Sequence, residues 1–312
     1  MRKAVFKILV SVVCIIVAIS LLDWNRTIQA IKQLTIMYTF LACIVCFFQF
    51  IFMGWRWYLL VKDDCKCSFL PVFKDFLYSS MLNIFTPANI GGDVYRYIYI
   101  KKWCSESHRV IRCIMEERIL GLFAFLVSYC IFYGISWYSG YIPAIQRSLY
   151  HLVGACALAA SFVLLLLPRL AMKLAQYAEN HFTNDLIQLL MKEGIGPRLF
   201  SWQGMLLNFL SFMAISCWIS TCWIVSNQMG GTLPFPMLSC IAILVELIRL
   251  VPISIQGLGM REGSFAYLFH LSGQSPELGF LVATISYMLL NIVFCFNAML
   301  SISLPLTNSN RA

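Results

Sequence analysis

From Ile36 to Gly54 the chain reads IMYTFLACIVCFFQFIFMG, with no charged side chain anywhere in the run. Coiled as a helix at roughly 1.5 Å per residue, such a run covers most of a hydrocarbon core about 30 Å thick. In lipid every backbone N–H and C=O must be satisfied within the protein, so an apolar run of this kind folds as a helix. Similar runs occur at roughly 4–22, 117–137, 149–167, 202–226 and 277–302, besides 36–61 itself. The N-terminal run has the basic start of a signal peptide. It is long for one, however, and no small-x-small cleavage pattern follows, so it reads as a retained first span. The composition agrees: 60% of the 312 residues are hydrophobic and 12% charged, against about 25% charged in a soluble domain. The expected fold is all-α and polytopic, with six full spans.

Two further apolar stretches, 69–90 and 236–256, break at proline and glycine and then enter a charged segment. They read as re-entrant hairpins, over 69–96 and 236–262. Lys and Arg set the orientation. Placing Arg2, Lys3 and Lys7 inside also puts inside the segment after the second span, with Lys62, Lys66, Lys74, Arg96, Lys101, Lys102, Arg109 and Arg112. The segment after the fourth span, with Arg169, Lys173, Lys192 and Arg198, falls inside too; the outer loops keep only Arg26, Lys32 and Arg147. Both termini are therefore expected in the cytoplasm, in a multi-pass protein of the plasma (inner) membrane. The first hairpin enters from the cytoplasm and the second from the other side. Each half, 1–140 and 141–312, reads span, span, hairpin, span. An odd number of spans per half inverts the second half relative to the first, as in many transporters.

The net charge of +9 would suggest nucleic acid in a soluble protein, but here the basic residues flank the apolar runs, and no nucleic-acid partner is expected. The thirteen cysteines lie mostly within apolar runs and read as small buried hydrophobes. Cys65 and Cys67, with no histidine nearby, give no metal-site pattern, and a disulfide framework is not expected. The region 169–193 reads as an interfacial helix in which His181 is solvated. GWRWY at 54–58 reads as an interfacial aromatic belt, and Gln49, Asn208, Asn291 and Asn297 as interhelical hydrogen-bonding residues.

The two breaks share a pattern. Pro87, Ile90, Gly92 and Arg96 have the spacing of Pro252, Ile255, Gly257 and Arg261. Proline stops a helix by removing a donor, and glycine permits the turn and a close backbone approach. The freed N–H groups of such a break attract anions. Arginine is the residue best shaped for phosphate. An intramembrane charge costs roughly 2.5–3.5 kcal/mol or more, so it calls for a partner. Asp93 and Glu246 each stand three residues before an arginine. The candidate substrate-binding set is Asn83, Pro87, Gly91, Gly92, Asp93 and Arg96 from the first break, with Glu117 and Arg118 at the head of the third span. From the second break come Glu246, Arg249, Pro252, Gly257, Gly259, Arg261 and Glu262. Arg96 and Arg261 are the proposed phosphate partners, and Glu117 or Glu262 orients an arginine or meets a cationic head group.

Arg56–Trp57, NIFTPANIGGDVYR, EER at 116–118 and VPISIQGLGMREG at 251–263 resemble the lysylphosphatidylglycerol synthase transmembrane region, the flippase-like domain family. The order of these motifs matches over nearly the whole chain, with Gln256 where a glycine is common. The resemblance implies a lipid-handling membrane domain. In bifunctional members a soluble synthase domain follows; here the chain ends at Ala312, so a stand-alone member is expected. The expected function is movement of a phosphate-bearing lipid between leaflets, of phospholipid or polyprenyl-phosphate type, with no cofactor, no metal and no catalytic residues. The expected partner is a membrane lipid with an anionic head group, and a separate lipid-modifying enzyme is a second candidate. An integral-membrane glycosyl- or phosphotransferase and a non-catalytic scaffold are the competing readings. The paired Asp63–Asp64 of a transferase reads here as a solvated charge cluster.

Overall fold

The computed structural model describes residues 24–65, 67–84, 86, 90–104, 107–142, 150–161, 201–250, 254 and 256–303. All secondary structure among them is helical: α1 (Trp24–Lys32), α2 (Ile36–Cys65), α3 (Phe69–Ile84), α4 (Ile90–Ile100), α5 (Ser107–Tyr138), α6 (Tyr150–Ser161), α7 (Trp202–Gln228), α8 (Phe235–Arg249), α9 (Met260–Leu271) and α10 (Pro276–Ser303). Four of them, α2, α5, α7 and α10, are long and apolar enough to cross a membrane. These match the expected spans at 36–61, 117–137, 202–226 and 277–302. The expected span at 4–22, the later part of the one at 149–167 and the helix at 169–193 with His181 lie outside the described residues.

The outer surface is made of large apolar side chains. Ile36, Phe40, Phe48, Phe209, Tyr267, Met288 and Phe296 are all exposed. In water such a surface would drive association; facing lipid, it matches its solvent. On the inner face of α2, Ala42, Cys46, Phe50, Gly54, Trp57 and Val61 recur at helical spacing and are buried. They meet the face of α7 carrying Leu207, Ser211, Ala214, Trp218, Thr221 and Val225. Small residues let the two backbones approach.

The order long, short, short, long occurs twice, in α2–α5 and in α7–α10. The long helices α2 and α7 run antiparallel along their whole lengths. Asp63 accepts from Gln203, Arg56 donates to Ser211, Cys46 meets Thr221, and the Thr35 amide donates to Gln228. The helix pairings are matched under exchange of the quartets. Thus α3 packs on α10 as α8 packs on α5, α2 packs on α5 as α7 packs on α10, and α7 packs on α5 as α2 packs on α10.

Each short pair is a helix, a break and a helix. Helix α3 ends shortly before Pro87, and α4 starts at Ile90. Gly92 lies inside α4 rather than in a turn, and it is the close approach of α3 that requires it. A Cβ there would lie 2.4 Å from Asn83 Oδ1 and 2.5 Å from the Ser79 carbonyl oxygen. The second break is different. Gln256, Gly257 and Gly259 take positive φ values of 55°, 74° and 80°, so the chain turns left-handed before α9 begins. The matching residues of the two sequence patterns therefore occupy different local structures: Arg96 sits mid-helix in α4, whereas Arg261 is the second residue of α9. Pro87, Pro252 and Ile255 lie outside the described residues.

Three sequence expectations are corrected. Cys65 and Cys104 form a disulfide with Cα atoms 4.3 Å apart. The α3–α4 pair folds back and returns the chain to the end of α2, a juxtaposition that sequence spacing does not reveal. The GWRWY segment is not simply an interfacial belt: Trp55 is exposed, but Arg56 and Trp57 are buried, because α7 covers that face of α2. Asp64 is no solvated cluster member, for it bonds Arg112 Nη2 at 2.7 Å with both side chains 10% exposed.

Candidate functional site

Two ion clusters lie within the bundle. The first centres on Glu117 of α5. Its Oε1 is 3.1 Å from Arg56 Nη2 of α2, and its Oε2 is 2.5 Å from Arg96 Nη1 of α4. Arg56 Nη1 donates to Ser211 of α7 at 2.8 Å, and Arg96 Nε to Ser79 of α3 at 2.8 Å. The Arg96 guanidinium also lies 5.0 Å from the Trp57 ring and 4.8 Å from the Phe76 ring, where the ring faces attract a cation. One carboxylate therefore holds two guanidiniums from two other helices.

The second cluster follows the second break. Glu246 and Arg249 stand one turn apart on α8 and pair at 2.7 Å. Arg261 Nε donates to Glu262 at 2.9 Å, and the other Glu262 oxygen accepts the Gly259 amide at 2.7 Å. Both arginines share the Tyr287 ring of α10, with Arg261 at 3.6 Å and Arg249 at 5.7 Å from its centroid. Gly257 leaves room for the Arg249 stem, since a Cβ there would lie 2.6 Å from Arg249 Cγ.

A cavity of about 150 Å³ is lined by Arg56 of the first cluster and by Glu246, Arg249 and Tyr287 of the second, together with Gln49, Gly121, Ser211 and Trp218. Four buried polar atoms of its lining have no hydrogen-bond partner: Arg56 Nε, Trp218 Nε1, the Tyr287 hydroxyl and Gln49 Oε1. Buried polar groups are nearly always bonded, and leaving one unpaired costs about 1–3 kcal/mol. Two arginines in the lining, with underbonded polar atoms buried on Arg56, Trp218, Tyr287 and Gln49, suit a small polar group rich in acceptor oxygens.

The predicted residues divide. Glu246 and Arg249 line the cavity. Arg96, Glu117, Arg261 and Glu262 are buried beside it and are not among its lining residues. Asp93 does not pair with Arg96; it pairs with the half-exposed Arg118 at 2.5 Å. Among the described residues, three amides at the breaks have local partners. The Gly91 and Gly92 amides donate to Thr86 and Asn83 side chains at 3.0 and 2.7 Å, and Gly259 is capped by Glu262. At these three positions local side chains take the amides that sequence reasoning offered to a ligand anion. The two breaks do touch, since Gln256 Nε2 donates to the Asn83 carbonyl. Sequence reasoning gave no substrate role to Arg56, Ser211, Trp218 and Tyr287, and it treated Gln49 as an interhelical bond. The usable signal was an arginine and a glutamine inside one apolar run. Among the described residues no group of three or more His, Cys, Asp or Glu side chains could hold a metal ion.

Comparison with curated proteins and with solved structures gives no significant match. The family model described as lysylphosphatidylglycerol synthase TM region matches residues 4–296, nearly the whole chain. The chain, a polytopic all-helical membrane protein, therefore belongs to the lysylphosphatidylglycerol synthase transmembrane-region family.

Proposed function

We propose that this protein moves a phosphate-bearing lipid between leaflets, with the head group passing through the cavity between the Arg56 and Arg249 clusters. The carrying observation is a cavity within the bundle lined by two arginines that each keep a carboxylate partner, with underbonded donors on its lining residues Arg56, Trp218 and Tyr287. A phosphate oxygen would complete Arg56 Nε, Trp218 Nε1 and the Tyr287 hydroxyl. Glu246 would release Arg249 to it or meet a cationic part of the head group. Family membership supports lipid handling. The antiparallel α2/α7 core and the exchange-matched pairings support an inverted repeat. In that arrangement the two helix–break–helix units enter from opposite faces, both termini lie in the cytoplasm, and the site opens to each leaflet in turn.

The test uses purified protein in liposomes containing fluorescently labelled phosphatidylglycerol, with transbilayer movement read by dithionite quenching. A charge-assisted hydrogen bond contributes about 1.5–3 kcal/mol, so Arg249→Gln is expected to slow movement by about one to two orders of magnitude while the protein stays folded. A well-folded Arg249→Gln protein that moves lipid at the wild-type rate would overturn the proposal.

A further inference from the structure

Asp75 of α3 is 2% exposed, and its carboxylate has no ion-pair partner and no hydrogen bond of ordinary length; the one side-chain donor that acts on it is the Trp57 indole N–H. The charged carboxylates of the two clusters described above are each paired with an arginine. The Trp57 indole N–H points to Asp75 as a weak, long donor, and the Arg96 guanidinium acts on the carboxylate electrostatically. The other titratable groups that interact with it are Tyr95 and Tyr99 of α4 and Cys67 in the segment before α3. Lys74 precedes it on α3. Among the described residues, α10, also packed on α3, adds no titratable group to this set. An ionised carboxylate buried without an ion pair or a strong hydrogen bond is a costly state, and a neutral carboxylic acid is far less so.

The charge count around Asp75 gives this site a consequence. Arg56 and Arg96 share the single carboxylate of Glu117. With Asp75 neutral the group carries one net positive charge; with Asp75 ionised it carries none. Arg56 belongs both to this group and to the cavity wall. We propose that Asp75 is a proton-binding site whose occupancy sets the charge behind the cavity, so that a proton on Asp75 and an anionic head group at Arg56 favour each other. The proton comes from the aqueous phase and forms an O–H bond on the Asp75 carboxylate; no other bond changes. By linkage the coupling is reciprocal. Entry of one phosphate charge draws in one proton, which makes passage of the head group electroneutral at this cluster.

The transport half of this inference rests on the lipid-translocation reading; the proton site does not. Two measurements separate them. Infrared spectra of the full-length protein, unlabelled and labelled with ¹³C on the aspartate carboxyl, are expected to show a carboxylic-acid C=O band that shifts with the label and is lost in Asp75→Asn. The labelled wild type alone suffices if the variant does not fold. No isotope-sensitive acid band at any pH between about 5 and 9 overturns the proposal, because protonation and charge are then unlinked there. In the liposome assay with labelled phosphatidylglycerol, the wild-type rate is expected to fall by up to tenfold per pH unit above the titration midpoint, while Asp75→Asn shows a flat profile. An unchanged profile in Asp75→Asn overturns the coupling. Wild-type protein that moves no lipid at any pH refutes the translocation reading alone, and the infrared result then decides Asp75.

Discussion

Glu117→Gln is the substitution to which the bundle should be most sensitive. The carboxylate is 7% exposed and is the carboxylate partner of both Arg56 and Arg96. The amide keeps one acceptor oxygen and loses the charge, so one guanidinium loses its bond and both lose their counter-ion. Removing one partner of a buried pair costs about 3–5 kcal/mol, because it leaves an uncompensated charge. Part of that is offset here. Arg96 keeps Ser79 and the Trp57 and Phe76 rings, and Arg56 keeps Ser211. The low end, about 3 kcal/mol, is therefore expected for Glu117→Gln. Arg96→Gln is expected to cost less, about 1–2 kcal/mol, since Arg56 still neutralises Glu117. The double variant should be more stable than the sum of the single losses, because the glutamine then faces one cation instead of two. Thermal unfolding in detergent, followed by thiol-independent fluorescence, gives all three values relative to wild type. A Glu117→Gln protein as stable as wild type, or strictly additive losses, would refute the reasoning.

Three other outcomes are expected. Glu246→Gln and Arg249→Gln should each lower thermal stability more than the double substitution, since the pair at 2.7 Å is half-buried on the Arg249 side and an unpaired charge is the costly state; additive losses count against pairing. Gln256→Gly should relieve a left-handed residue, φ 55°, a strain of about 1–2 kcal/mol, yet free the Asn83 carbonyl of the other break. Gln256→Ala should lose that bond and keep the strain, so it should melt below Gln256→Gly, and the reverse order would show that the left-handed strain contributes little. In a cysteine-free background, cysteines placed at Ser139 and Thr232 should label from outside the cell with an impermeant maleimide, and labelling only from the cytoplasm would overturn the proposed orientation.

What the sequence made legible follows the physics that is local in the chain. Apolar length announces α2, α5, α7 and α10, because lipid demands it of any spanning helix. The breaks announce themselves through Pro87 and Pro252 and the glycines after them. Glu246 with Arg249 is legible because residues three apart share a helix face. Partner choice across helices is not. Asp93 is also three residues from Arg96, yet it turns to Arg118, while Arg96 turns inward to Glu117. Which of two arginines a carboxylate meets depends on the rotation of α4 against α5, and no periodicity within α4 encodes that.

The same limit explains why the cavity residues were missed. Arg56, Gln49, Trp218 and Tyr287 come from three helices far apart in the chain, and each alone has an ordinary interfacial or packing role. Their joint meaning comes from the antiparallel crossing of α2 and α7, which sets Arg56 against Ser211 and brings Trp218 within reach of Tyr287, at 4.4 Å between ring centroids. That crossing also explains why the arginines of the breaks are not the exposed ones. Arg96 holds α4 to α3 and α5 within its own quartet, through Ser79 and Glu117. Arg56, which lines the cavity and keeps a buried nitrogen unpaired, suits contact with what passes.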